Sequence, residues 1–252
     1  MTCRRREFLS KSCRAAAGAA LALSPFVHGK ARAAPSETVV LGVIGIGGRG
    51  HGLMTWALGH RAVRVASVSD VNRRHLERAA KTVREAQGKD PRRVPDFRRL
   101  LDDTSLDAVI VATPHHWHGP IAVRALDAGK HVYVEKPASH VLREGRRLVE
   151  ASRRSKRLVQ HGTQMRSSEV TTAAGEVLRS GVLGTIKMSK AWGVEPRRHA
   201  PPVADSKAPD WLDYDRWLGP APERPFNRNR FQRWNNYRDY GNGEIGGDGI
   251  HD

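Results

Sequence analysis

The sequence is short of cysteine, short of acid and short of long apolar runs. Its only cysteines, Cys3 and Cys13, lie in the first 13 of 252 residues, so nothing downstream can form a disulfide or a cysteine-based metal site. The mildly apolar run Ala15–Leu23 is too short to cross a bilayer, which excludes a stable membrane anchor of that kind. Acidic side chains number 26 against 43 basic ones, for a net charge of +17. Such a surplus raises the question of nucleic acid. Residues 1–33 account for +6 of it. The remaining +11 is spread over helix-like stretches such as 73–84 and 143–157, where Glu77, Glu144 and Glu150 interrupt the arginines. These read as solvated helix faces, and no nucleic-acid partner is expected.

The amino terminus carries an address. Arg5-Arg6-Glu7-Phe8-Leu9, followed by Lys11, the apolar run and the small-x-small triplet Ala31-Arg32-Ala33, resembles a twin-arginine export signal. Residues 1–33 are therefore expected to be a signal peptide, with a mature periplasmic chain starting at Ala34.

The mature chain is organised around Val39–Gly50. There an apolar run breaks into glycines, with Gly45, Gly47 and Gly50 at the G-x-G-x-x-G spacing. In that pattern the first glycine makes a tight turn, the second lets the backbone approach a pyrophosphate, and the third lets helix and strand pack closely. Gly45, Ile46, Gly47, Gly48, Arg49 and Gly50 are thus candidate dinucleotide contacts. A second strand ends in Asp70, 20 residues after Gly50, where a carboxylate accepts hydrogen bonds from the adenosine ribose. Its charge favours NAD over NADP, although Arg73 and Arg74 lie near enough in sequence to leave NADP open.

From Val39 to Gly162, strand-like and helix-like stretches alternate, as in a doubly wound parallel sheet. Strands are expected at 39–44, 63–69, near Val94, and at 108–113, 131–134 and 158–162, with helices at 72–87, 120–127 and 141–155. Ligands in such folds bind at the carboxyl ends of the strands. That draws attention to Thr113-Pro-His-His-Trp-His118 and Glu135-Lys-Pro137 as well as to the glycine loop. Another strand is expected at 186–194. Residues 196–242 then become rich in Pro, Trp, Arg and Asn with little periodicity, and a loop of that length is usually functional. Residues 211–240 carry only +2 net, thin for a phosphate track. Trp211, Trp217, Trp234 and Tyr237 suit stacking on a sugar ring or packing beneath the loop equally well.

The glycine loop, Asp70, Thr113–His118 and above all Tyr133-Val-Glu-Lys-Pro137 together resemble the Gfo/Idh/MocA family of nicotinamide-dependent oxidoreductases. The resemblance implies a Rossmann domain over 34–166 and, over 167–252, an α/β substrate domain with an open sheet, which leaves room for self-association through that sheet. It implies that Thr113, Pro114, His118 and Glu135 belong to the cofactor site, and that Lys136 contacts both nicotinamide and a substrate hydroxyl. It also points to Asp248 and His251 as catalytic candidates. They stand three positions apart where the family usual is four, and Gly247 holds the expected acid position. Family members usually continue beyond this motif, so a truncated substrate domain is expected.

The implied chemistry is hydride transfer between nicotinamide and a secondary alcohol carbon of a sugar or cyclitol, with Lys136 or His251 handling the hydroxyl proton. A lysine desolvated in a cleft has its pKa lowered toward neutrality, which suits that task. His115, His116 and His118 have no carboxylate beside them to complete a metal site, and none is expected. Two other functions stay open: an NAD-dependent glycosidase or lyase that oxidises its sugar transiently, and a non-catalytic dinucleotide or sugar-binding remnant.

Overall fold

A computed structural model of the chain describes residues 38–190 and 201–242. The signal-like residues 1–33, Asp248 and His251 lie outside the described residues. Six parallel strands form one sheet: β1 (Val39–Ile44), β2 (Val63–Ser69), β3 (Arg92–Val94), β4 (Ala108–Val111), β5 (His131–Glu135) and β6 (Val159–Gly162). Their spatial order is β3-β2-β1-β4-β5-β6, so the winding direction reverses between β1 and β4. That is the Rossmann order. The apolar runs of β1 and β4 are buried over most of their length, because helices cover both faces of the sheet.

On one face lie α1 (Gly48–Leu58) and α2 (Arg73–Gln87), burying Met54, Leu76, Ala79 and Val83 against Val43, Val65 and Val68. Helix α2 has a sequence-encoded start and stop. The Asn72 side chain accepts a hydrogen bond from the Arg74 amide at 3.0 Å, and Gly88 closes the helix at φ +68 with its amide on the Arg84 carbonyl. On the other face lie α3 (Phe97–Leu101), α4 (His115–Asp127) and α5 (Leu142–Ser155), burying Leu100, Leu126 and Ala151 with Val109 and Val134. Helix α4 begins at His115, immediately after Pro114, rather than at Pro120. Pro120 lies inside the helix, where it forfeits the bond to the His116 carbonyl and its ring crowds that oxygen.

Beyond the sheet, α6 (Glu169–Arg179) leaves Val170, Val177 and Leu178 exposed. Residues 186–190 form no strand, contrary to the expected strand at 186–194, whose remaining residues lie outside the described set. The period-2 pattern finds no partner among the described residues, and a strand exists only through its pairing.

The stretch 201–242 is more ordered than its composition suggests. It folds into a small aromatic layer with α7 (Tyr214–Leu218) and α8 (Arg228–Gln232), capped by the Asp213 and Asn227 side chains. An antiparallel bridge joins Ser206 to Phe226. Leu212, Trp217, Leu218, Phe226 and Tyr240 form its own core. Packing, the second of the two readings of these aromatics, accounts for Trp217, which is 5% exposed.

Candidate active site

The loop after β1 takes the shape its glycines allow. Gly45 has φ +81, and a Cβ there would come within 2.7 Å of the Thr113 amide nitrogen. A Cβ on Gly50 would lie 1.8 Å from the Gly45 carbonyl oxygen, so only glycine lets α1 start this close to the strand. Gly47 is the N-cap of α1 and no side chain caps the helix, which leaves its first amides directed toward any anion in the loop. Arg78 braces the loop from α2, donating from Nη2 to the Ile46 carbonyl at 2.9 Å and the Gly47 carbonyl at 3.1 Å.

Asp70, at the end of β2, accepts from the Ile46 amide at 2.7 Å and the Asn72 amide at 2.8 Å, and lies 3.1 Å from His75 Nδ1. The carboxylate is thereby fixed against the glycine loop. Gly45, Gly47, Gly48, Arg49, Asp70, Thr113 and Pro114 line a common cavity of about 310 Å³ at the carboxyl ends of β1, β2 and β4. Its other walls come from Phe97 and Arg98 after β3, from Trp117, and from Trp217, Phe231 and Trp234 of the aromatic layer. Trp117 falls in the Thr113–His118 stretch singled out from the sequence, and Trp217 and Trp234 among the aromatics offered there for stacking or packing. Phe97, Arg98 and Phe231 were not foreseen. Phe97 could have been found from the rule that loops after parallel strands build the site, whereas Phe231 belongs to a segment with no local pattern.

Ile46, Gly50, His118, Glu135 and Lys136, expected at the site, do not line that cavity. Glu135 is 4% exposed, and burying a carboxylate is costly unless it is paired. The pair is Arg49 of the glycine loop, whose Nε lies 2.5 Å from Glu135 Oε1, while Oε2 accepts from the Lys136 amide at 3.0 Å. The glycine loop and the carboxyl end of β5 are thus joined by one ion pair. Burial works against the Arg49 charge, but Glu135 and then Tyr133 hold its pKa above the ordinary value. Lys136 is half-buried and is joined to Pro137 by a cis bond just past the end of β5. Its charge reaches His115, contributing to that ring's lowered pKa.

His118, expected among the cofactor contacts, is instead a buried staple. Its Nδ1 lies 2.7 Å from the Pro137 carbonyl and its Nε2 2.7 Å from the Thr113 carbonyl, so the ring is wedged between two backbone oxygens, one of which accepts its single N–H. His116 does the same for the aromatic layer, with Nε2 3.0 Å from the Trp217 carbonyl and Nδ1 3.3 Å from the Tyr240 carbonyl. His115 meets the edge of Trp234 at 4.6 Å between ring centres. Among the described residues, no three His, Cys, Asp or Glu side chains converge to hold a metal.

Burial, ahead of the neighbouring charges, pushes His115 down to about 3 and His116 and His118 down to about 4, against the carbonyls that favour protonation of the latter two. All three rings are neutral near pH 7. An unfolded chain binds these protons below about pH 6.5 and the folded chain does not, so stability is complete above about pH 6.5 and falls as pH drops toward 4. Urea midpoints measured at pH 7.5 and pH 5 are expected to show a loss of about 2–4 kcal/mol or more. Equal midpoints would remove the assignment of these rings as buried and neutral.

Known proteins resemble this chain in sequence and in fold. Residues 39–163 match a family model described as oxidoreductase family, NAD-binding Rossmann fold, and residues 177–252 match that family's C-terminal alpha/beta domain. A glycosyl hydrolase family 109 protein of Saccharopolyspora erythraea is 34% identical over 157 residues, covering 60% of this chain and 34% of that protein. Another, from Shewanella pealeana, is 25% identical over 232 residues, covering 85% of this chain and 51% of that protein. The chain therefore spans about a third to a half of the length of these curated relatives. Among solved structures, a myo-inositol dehydrogenase from Lactobacillus casei, in complex with NAD(H) and myo-inositol, superposes with a TM-score of 0.53 at 30% identity. That match covers 58% of this chain and 43% of the dehydrogenase. With its 3-2-1-4-5-6 sheet, its glycine loop against Asp70 and both family models matched in order, the chain belongs to the Gfo/Idh/MocA family of oxidoreductases and carries its NAD-binding Rossmann domain.

Proposed function

We propose that the protein transfers a hydride between NAD and a secondary hydroxyl carbon of a sugar or cyclitol. The observation that carries this reading is one cavity walled by both the glycine loop and Asp70, with Glu135 and Lys136 tied to the same loop through Arg49. The residues present fit the cofactor: the uncapped start of α1 suits a pyrophosphate, the missing Cβ of Gly50 lets the helix approach the loop, and Asp70 keeps acceptor capacity for a ribose hydroxyl. NAD supplies the hydride acceptor when bound. The chain's own residues do the rest. Lys136 holds the reacting hydroxyl and moves its proton, His251 is the second candidate for that proton, and Asp248 stands beside it in sequence. Phe97, Trp117 and Trp217 exclude water from the cavity wall.

A second reading is favoured by the names of the curated relatives: transient oxidation of a glycoside, followed by cleavage and return of the hydride. One assay separates the two. Given NAD and a panel of free and aryl-linked sugars, net oxidation accumulates reduced cofactor, whereas the transient route releases the aryl alcohol without it. Neither product would leave the chain a binding protein.

The export reading of residues 1–33 remains a proposal supported by Arg5-Arg6 and the Ala31-Arg32-Ala33 triplet. A reporter fused to residues 1–40 is expected to reach the periplasm, and Arg5→Lys with Arg6→Lys is expected to stop it. Unchanged export after the double substitution would overturn this.

A further inference from the structure

The segment 210–213 is fastened to the start of α2, far from it in sequence and next to the ribose-binding end of the site. The Trp211 carbonyl accepts from the Arg73 amide at 2.9 Å, and the Asp210 carbonyl accepts from Arg73 Nη2 at 2.8 Å. The Arg74 guanidinium lies over the Trp211 ring, 4.7 Å from its centre. The Asp213 amide donates to the Val71 carbonyl at 3.0 Å, and Leu212 bridges Asn72. These two arginines are the ones that sequence position alone offers to the 2′-phosphate of NADP. Neither lines the cavity, while Asp70, Val71 and Asn72 beside them do.

Other basic groups at this end have partners of their own. Arg98 and Arg216, which do line the cavity, pair with Asp96 at 3.1 Å and Asp213 at 2.5 Å, and His75 Nδ1 lies 3.1 Å from Asp70. Arg78 is spent on the glycine loop. The helix start offers little either, since Asn72 caps the Arg74 amide and Trp211 takes that of Arg73. A dianionic phosphate placed beside Asp70 would meet a carboxylate, with the nearby guanidiniums already drawn toward Asp96, Asp213, the glycine-loop carbonyls and the Asp210 carbonyl.

We propose that the segment 210–213, with Trp211 at its centre, sets the cofactor specificity of the site by withholding Arg73 and Arg74 from a 2′-phosphate. This rests on the NAD-binding reading of the glycine loop, and goes beyond it by placing selectivity in a remote segment as well as in Asp70. Nothing here needs turnover, so calorimetric titration with NADH and NADPH tests it on the full chain. Wild type is expected to bind NADH roughly 10²-fold more tightly, the scale of an unrelieved like-charge contact. Trp211→Ala is expected to leave NADH affinity within about twofold and to tighten NADPH roughly 5- to 10-fold, as one released charge-assisted contact allows. Adding Arg74→Ala to that variant should cancel the gain.

Arg74→Ala alone keeps the test decisive should Trp211→Ala fail to fold. A withheld arginine predicts almost no change in NADPH affinity, whereas an arginine already serving the phosphate predicts a selective loss. The proposal is overturned by equal wild-type affinities, by an unmoved NADPH affinity in folded Trp211→Ala, by a gain that survives Arg74→Ala, or by a selective NADPH loss in the single variant. Binding of neither dinucleotide is a different outcome, which overturns the NAD reading and this proposal together.

Discussion

Lys136→Ala is expected to slow hydride transfer by roughly 10²–10⁴, the usual worth of a positioned acid-base group, while NAD affinity stays within about threefold of wild type. The expectation comes from how the lysine is held. The residue before it, Glu135, is buried and pinned by Arg49, and accepts the Lys136 amide at 3.0 Å. The residue after it, Pro137, has its carbonyl against the buried His118 ring at 2.7 Å. The backbone on both sides of Lys136 is therefore fixed, and the amine is presented from a rigid root at the carboxyl edge of β5. The pyrophosphate and ribose contacts assigned to the glycine loop and Asp70 do not involve it. A lysine that only binds substrate would raise KM and leave kcat nearly unchanged. Single-turnover rates with saturating substrate distinguish the two, and wild-type rates in the variant would remove the catalytic role.

Gly50→Ala is expected to abolish dinucleotide binding, weakening it by roughly 10²-fold or more, because overpacking here cannot be relieved by rotating a side chain. The added Cβ would sit 1.8 Å from the Gly45 carbonyl oxygen, a backbone atom of the very turn that receives the phosphates. Either α1 moves away from the strand or the loop opens. Stability should fall as well, by about 1–3 kcal/mol. Gly52→Ala, two residues on, is the control. Its Cβ meets nothing within 4 Å, and alanine is the better helix former by about 1 kcal/mol, so binding should persist and stability hold or rise. Intact NADH binding by Gly50→Ala would show that the close approach is dispensable.

The parts of this molecule legible in the sequence are those whose cause is local. Gly45 and Gly50 announce a turn because only glycine fits there, and Asn72 and Gly88 bracket α2 with chemistry read off a few neighbouring residues. The parallel sheet was legible in the alternation of strands and helices. What was illegible depends on contacts between distant segments. His116 reaches Trp217 and Tyr240 across more than a hundred residues, and so the polar-looking stretch 201–242 becomes a folded wall of the cavity. His118 looked like a cofactor ligand because its position in the chain is right, and only its two carbonyl partners reveal a structural role. The apolar alternation at 186–190 read as a strand, but no described strand pairs with it.

Isotope transfer tests most directly whether this carboxyl edge carries hydride between a sugar carbon and NAD. The protein is incubated with NAD and a panel of sugars and cyclitols bearing deuterium on their secondary carbinol carbons. Deuterium is expected at C4 of the nicotinamide, recovered by mass spectrometry, in wild type and at a strongly reduced rate in Lys136→Ala. A sugar turned over by wild type with no deuterium reaching the nicotinamide would contradict hydride transfer at this edge.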